Sequence, residues 1–397
     1  MRDRWGSGPP AGADPVDELV FLSNLVGLDS RLVQPGGGNS SLKLSEGGET
    51  TLLVKGSGTD LRTIGRGGFT RLSSPRLEAL RQADDLGDDE MMRLMRASML
   101  APDQDPLPSV ETPLHASLPQ TVVLHTHDVA TMSITNVEDG TAASLLRTLF
   151  GEAVAYAPYA RPGFPLARAI EALAVGIPDT AQGLALAHHG LVVWGDDARE
   201  CYERLLEIVN RIEEFLAERR EERSVLGAPV AAALTAERRR EIATWLLPVI
   251  RGELGRDERV IAHFDDSPEV LRWLASERTR ELSQRGMVTP EHILRAGRLP
   301  LWLDLDFEAT QDELAGAARS QIAGARDEYA AYHLRHASEG EEPIADWAKV
   351  VLVPGLGMVT AFRDKRSAIT ANVCYRTGME TIENVRGGCR LPLPRGS

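Results

Sequence analysis

Residues 122–128 read VVLHTHD. A short run of branched apolar residues closed by a polar turn is the signature of a strand buried on both faces. Side chains alternate along a strand, so His125 and His127 share one face. Two imidazoles side by side make part of a metal centre, because neutral imidazole is the commonest transition-metal ligand and a catalytic site typically has three protein ligands and an open position. A third ligand is offered by AHHGL, residues 187–191, where His188 and His189 end a second apolar strand and Gly190 permits an unusual backbone angle or a close approach. Alternation lets only one of that pair face the site.

A lone histidine is ordinarily a hydrogen-bonded structural residue. Here five of the nine histidines, His115, His125, His127, His188 and His189, fall in these two motifs and in the nearby ETPLH, residues 111–115, and that clustering favours a mononuclear metal site. Glu111 is expected in a short helix fourteen residues ahead of His125, with His115 one turn further on. A carboxylate beside a metal serves as ligand, as general base, or as each in turn.

The other unusual stretch is VQPGGGNSSLKL, residues 33–44. A Walker loop ends in Gly-Lys-Ser/Thr, and a dinucleotide fingerprint sits between a strand and a helix. PGGGNSS meets neither condition, since it follows a helical pattern and precedes a strand. It offers backbone N–H groups and the Asn39 side chain as an anion nest. GSGTDL, residues 56–61, adds a second small-residue turn with a hydroxyl at Ser57. In the second half, VLVPGLGMVTAF has Gly355 and Gly357 but Thr360 where a nucleotide fold needs a third glycine, which disfavours nicotinamide. Glu291 and His292, and the group His263, Asp265 and Asp266, lack convergent partners and read as structural.

Length and composition bound the remaining possibilities. The 397 residues, 43% hydrophobic and 26% charged, suffice for two packed α/β domains. A net charge of −14 disfavours nucleic acid, whose binding relies on clustered Lys and Arg. Cys201, Cys374 and Cys389 show no Cys-x-x-Cys spacing, which argues against a disulfide framework or a thiolate zinc site. No apolar run approaches the ~20 residues that span a bilayer, and residues 1–14 lack a signal-peptide core. A cytoplasmic protein with a disordered arm over 1–14 is expected.

Helix and strand patterns alternate from residue 15 to about 228, ending in the longest expected helix, which Asp196 or Asp197 caps. A linker, VLGAPVAAALT, leads into a second α/β region over 229–397. There KVVLVPGLGMVTAF and the helix after it echo GLALAHHGLVVWG and its helix: strand, glycine corner, strand, long helix. This reads as a degenerate repeat in which His188 and His189 have no counterpart.

In this order GGGNSSLKL, LLVKGSGTDL, ETPLHASLP, VVLHTHD and LAHHGLVVWG resemble the class II aldolase and adducin family over residues 15–225. The second half, through RGMVTPEHILRAGRLPL and KVVLVPGLGMVTAF, resembles the rest of the aldolase portion of bifunctional rhamnulose-1-phosphate aldolase/short-chain dehydrogenase proteins. The resemblance implies a three-layer α/β/α fold and a homotetramer. It implies zinc, or another divalent metal, on His125, His127 and His189, and a catalytic glutamate at Glu111. It also implies a phosphate site from Gly38, Asn39, Ser57, Gly58 and Ser109. Val110 departs from relatives that carry a second serine there, and the tyrosine that protonates the leaving aldehyde has no match. The expected substrate is a ketose 1-phosphate, such as rhamnulose 1-phosphate, split into dihydroxyacetone phosphate and an aldehyde. The alternatives are epimerisation or decarboxylation on the same scaffold, and a non-catalytic adducin-like interaction module, which needs no metal ligands.

Overall fold

The computed structural model describes residues 1–397 apart from 47, 84, 221–225, 231–233, 257, 338–341, 344–346 and 389–397. Cys389 and parts of the expected linker therefore lie outside the described residues, whereas Cys201 and Cys374 are buried free thiols. The chain divides into two compact units, in the main Met1–Arg220 and Glu221–Gly387.

The first unit runs α1 (Pro15–Gly27), β1 (Asn39–Glu46), β2 (Glu49–Lys55), β3 (Phe69–Ser73), α2 (Ser74–Arg81), α3 (Asp88–Ala97), α4 (Thr112–Ser117), β4 (Val122–Thr126), α5 (Val129–Thr135), α6 (Asp139–Phe150), β5 (Val154–Ala157), α7 (Phe164–Ala174), β6 (Gly183–Leu186), β7 (Gly190–Gly195) and α8 (Ala198–Arg220). Its seven strands form one sheet in the order β3-β2-β1-β4-β7-β6-β5. Side-chain alternation sends Val122 and Leu124 into a core with α1 and α8, and Val123, Val192 and Trp194 into a core with α4 and α7. The result is three layers, α/β/α. Local chemistry sets the helix starts. Asp14 caps α1 ahead of Pro15, and Asp128 caps α5 through Thr131 N at 2.7 Å. Asp197, not Asp196, caps α8, accepting from Glu200 N at 2.8 Å.

The expected disordered arm is a correction. Residues 1–14 form no helix or strand, yet Trp5 is buried edge-on against Phe21 at 5.0 Å and beside Tyr202 at 5.5 Å, with Arg199 over its ring. One aromatic anchor of that size offsets the ordering of several residues.

The second unit runs α9 (Ala236–Leu254), β8 (Ile261–Asp265), α10 (Pro268–Leu274), α11 (Thr279–Ser283), α12 (Pro290–Ala296), β9 (Leu301–Trp302), α13 (Gln311–His336), β10 (Val350–Val353), β11 (Gly357–Phe362) and α14 (Lys365–Gly388). Its sheet order is β8-β11-β10-β9. At 26 residues α13 exceeds the 23 of α8, which was expected to be longest.

The repeat is present, and larger than expected. The β4-β7-β6-β5 and β8-β11-β10-β9 blocks share pairing senses throughout: antiparallel, antiparallel, parallel. Their registers also agree. Leu186 faces Gly190 as Val353 faces Gly357, and Thr126 faces Leu191 as Asp265 faces Met358. In both copies an aspartate, Asp197 or Asp364, then caps the long helix.

Candidate metal centre

His125 near the end of β4 and His127, one residue beyond it, share the sheet face that α4 covers, and the β6–β7 corner brings His189 to the same point. His125 Nε2 lies 3.1 Å from His127 Nε2 and 3.4 Å from His189 Nε2. Glu111 completes the group, with Oε1 3.3 Å from His125 Nε2 and 3.4 Å from His189 Nε2. The four ligand atoms all lie within 4.8 Å of one another. Glu111 is one residue ahead of α4 as its N-cap position rather than inside the helix.

The donor chemistry fits a cation. His125 Nδ1 donates to the Leu191 carbonyl at 3.0 Å, which leaves the lone pair on Nε2 pointing at the other ligands. Three imidazoles and a carboxylate then direct electron pairs to one place, a repulsive arrangement that a divalent ion relieves. An N₃O set suits zinc and other borderline divalent metals. Burial alone would raise the Glu111 pKa; when the metal-free rings carry protons, His125 and His189 instead hold the carboxyl well below its usual range, a role that a bound cation would take.

Gly37 and Gly38 seat the glycine-rich loop directly on the histidines. A Cβ at Gly37 would lie 3.0 Å from His127 Nδ1, and one at Gly38 (φ 64°) would lie 2.9 Å from the His125 carbonyl oxygen. Gln34 ties the start of the loop to the His127 carbonyl at 3.1 Å. Asn39, fully buried and paired in register with His125, extends Nδ2 to Ser109 Oγ at 3.0 Å and to Glu111 Oε2 at 3.4 Å. Ser109 Oγ in turn accepts from Glu111 N at 3.2 Å.

Ser57 and Gly58 are exposed on the second turn, and Ser57 N donates to the Leu107 carbonyl two residues before Ser109. All five expected phosphate-loop residues thus belong to connected segments, although only Asn39 and Ser109 bond directly to each other. Sequence reasoning missed Lys55. This buried cation ends β2 just before the second turn and reaches the Gly36 carbonyl of the first loop at 3.3 Å. The signal available was a lysine at a strand end beside a Gly-Ser-Gly turn.

The remaining histidines separate. His188 bonds Asn136 Oδ1 at 3.2 Å and itself carries a left-handed backbone (φ 53°), so of the two expectations for Gly190, an unusual backbone angle or a close approach, the second holds. What Gly190 supplies is close approach, since a Cβ there would lie 2.0 Å from the Thr126 carbonyl oxygen. His115 stays outside the cluster; burial pushes its pKa down to about 3, so it is neutral at pH 7.

This geometry is that of a site able to hold a divalent metal ion, and the comparisons give the family that carries it. Residues 17–216 match the class II aldolase and adducin N-terminal domain, and residues 241–388 match a domain described as aldolase class II, second domain. The chain belongs to the class II aldolase and adducin family. It is 32% identical over 375 residues to an uncharacterized oxidoreductase, YuxG, of Bacillus subtilis, covering 93% of this chain. The chain spans about half of that relative's length (54%).

Among solved structures, the N-terminal class II aldolase domain of a conserved protein from Thermoplasma acidophilum is 37% identical. That match covers 54% of this chain and 99% of the other, with a TM-score of 0.49. A sugar-phosphate aldolase from Thermotoga maritima is 16% identical, covering 53% and 96%, with a TM-score of 0.40. No helix among the described residues is long and apolar enough to cross a membrane.

Proposed function

We propose that the chain is a zinc-dependent class II aldolase, a carbon–carbon lyase acting as a homotetramer. It would cleave a ketose 1-phosphate deoxygenated at its far end, of the rhamnulose 1-phosphate kind, into dihydroxyacetone phosphate and a hydroxyaldehyde. The observation that carries this reading is the convergence of His125, His127 and His189 with the Glu111 carboxylate, beneath a loop that joins Glu111 through Asn39. A zinc ion held by the three histidines supplies a Lewis acid for the negative charge that grows on the sugar oxygens as the bond breaks, worth several kcal/mol.

The chain's own residues do the rest. In cleavage Glu111, ionised at the start, receives the proton that leaves the hydroxyl of the departing aldehyde carbon and delivers it to the dihydroxyacetone carbon freed by the broken bond; in synthesis the same proton moves the other way. Gly38, Asn39, Ser57, Gly58 and Ser109 hold the phosphate, with Lys55 supplying positive charge between the two loops. Anchoring the phosphate pre-orients the reacting carbons, so less entropy is lost in the transition state. No lysine Schiff base is required.

The test is a metal determination coupled to aldol synthesis from dihydroxyacetone phosphate with lactaldehyde, acetaldehyde and glycolaldehyde. Lactaldehyde is the expected preferred acceptor. Metal-loaded protein that condenses none of the three overturns the aldolase reading, and product analysis then separates epimerisation from decarboxylation.

A further inference from the structure

One face of β1 presents Asn39, Ser41 and Lys43 in succession, because alternate strand residues share a face. Ser40 turns the other way, to Ser23 of α1 at 2.8 Å. The three polar residues meet the α4 segment at its start, middle and end. Asn39 reaches Ser109 and Glu111 just ahead of it. Ser41 Oγ pairs with His115 Nδ1 at 2.8 Å, one turn in. Lys43 Nζ donates to the carbonyls of His115, in the last turn, at 3.1 Å and of Gln120, beyond its end, at 3.0 Å.

A six-residue helix has almost no stability of its own. Where it lies, and how it is rotated, is decided by what it touches. Apolar contacts from Leu114 and Leu118 hold it to the sheet but resist sliding and rotation weakly. Hydrogen bonds are directional and do resist them. Burying Ser41 and His115 completely is not the economical way to fill a core, since the His115 Nε2 atom is left buried without a partner at a cost that an apolar pair would avoid. Burial likewise lowers the Lys43 pKa to about 8. Polar groups retained at such a cost are explained by orientation rather than by cohesion.

We propose that Ser41, His115 and Lys43 are positioning residues that lock the rotation of α4 and so hold the Glu111 carboxylate against the histidine cluster. The inference rests on the reading of Glu111 as the proton-transfer carboxylate. Without the Ser41–His115 bond the helix keeps its ties at either end but loses the one that fixes its rotation at the middle, and a carboxylate displaced by about 1 Å loses on the order of 10²-fold in rate.

The test compares Ser41→Ala, His115→Gln, His115→Asn and Glu111→Gln in full-length protein loaded with Co(II). Turnover, KM, metal content and the visible Co(II) spectrum are measured for each. Asparagine at 115 can place its amide where Nδ1 was, and glutamine cannot. Ser41→Ala and His115→Gln are expected to lower kcat about 10- to 100-fold, with KM and metal content unchanged. Both should shift the Co(II) spectrum in the direction that Glu111→Gln shifts it, and His115→Asn should restore the parent behaviour. If Glu111→Gln moves spectrum and rate while Ser41→Ala and His115→Gln change only the melting temperature, the positioning role is wrong and the reading of Glu111 stands. If Glu111→Gln moves neither, that reading fails and the inference with it.

Discussion

Glu111 and Gly190 show two ways in which a single residue is committed to the centre. Glu111 acts through its charge, and Glu111→Gln keeps its shape while removing its basicity. The expected outcome is a loss of turnover of about 10²–10⁴-fold, with the metal retained on the histidines, read by steady-state kinetics beside elemental analysis. Gly190 acts through its missing side chain. In Gly190→Ala the new methyl meets the backbone oxygen of Thr126 at 2.0 Å and must push β7 from β4 between His125 and His127. Such overpacking against main chain is expected to cost about 3 kcal/mol and to reduce metal content, read from the melting curve and from metal analysis. The ligands were legible because alternation in VVLHTHD aims both imidazoles without reference to the rest of the fold. The glycine-rich loop was legible only as an anion nest. That Gly37 makes room for His127 depends on a contact between residues ninety positions apart, and nothing in the local pattern carries it.

At the scale of elements, legibility followed amphipathic period. The pattern of α8 runs its whole length, with Cys201, Leu205, Val209, Ile212 and Leu216 all buried. In α13 burial stops at Ile322, so its later turns offer no period to read, and the helix relies instead on its Thr310–Glu313 capping box. The second unit also hides a polar tie between elements. His292 of α12 is fully buried, with Nδ1 2.6 Å from Thr289 Oγ1 and Nε2 2.9 Å from Thr377 Oγ1 of α14. Burial pushes its pKa from the ordinary 6.5 to about 3. The folded state therefore binds this proton less readily than the unfolded state. Stability from the neutral ring is complete above about pH 6.5 and is lost as pH falls towards 3. By pH 5 this residue's share of the loss is expected to reach about 2 kcal/mol, and His292→Gln should remove that share while leaving the similar one from His115, measured by denaturant titration at pH 7 and pH 5.

The whole molecule is one fold and most of a second copy of its later half, and the copy explains how many metal ions a chain can hold. Matching the strand registers places Phe264 where His125 stands, since each faces a valine, Val359 or Val192, at the same step of the ladder. One residue beyond each strand, Asp266 answers to His127, and Ser267 answers to Asp128 at the cap of the following helix. At the hairpin corner Leu356 answers to His189, and Gly355 (φ 82°) to His188 (φ 53°). The sequence echo was visible in the hairpin and its helix because a glycine corner and a capping aspartate recur at fixed spacing. It was invisible at β4 and β8, where VVLHTHD and RVIAHFDD share no apolar pattern and only the pairing register equates them. Of the three histidine positions the second unit keeps one potential ligand, Asp266, and that carboxylate is turned to Arg239 at 3.3 Å. A phenyl ring and an isobutyl group cannot replace two imidazoles, and the cluster around Glu111 is the only one of its kind found among the described residues. Fully loaded protein is therefore expected to hold about one divalent ion per chain, and His125→Ala or His127→Ala should remove it without exposing a second, weaker equivalent. Elemental analysis against chain concentration reads the number directly. A stoichiometry of two, with one ion surviving the loss of His125, would mean that the second unit has built a centre from residues outside the matching ladder positions and is not a metal-free copy.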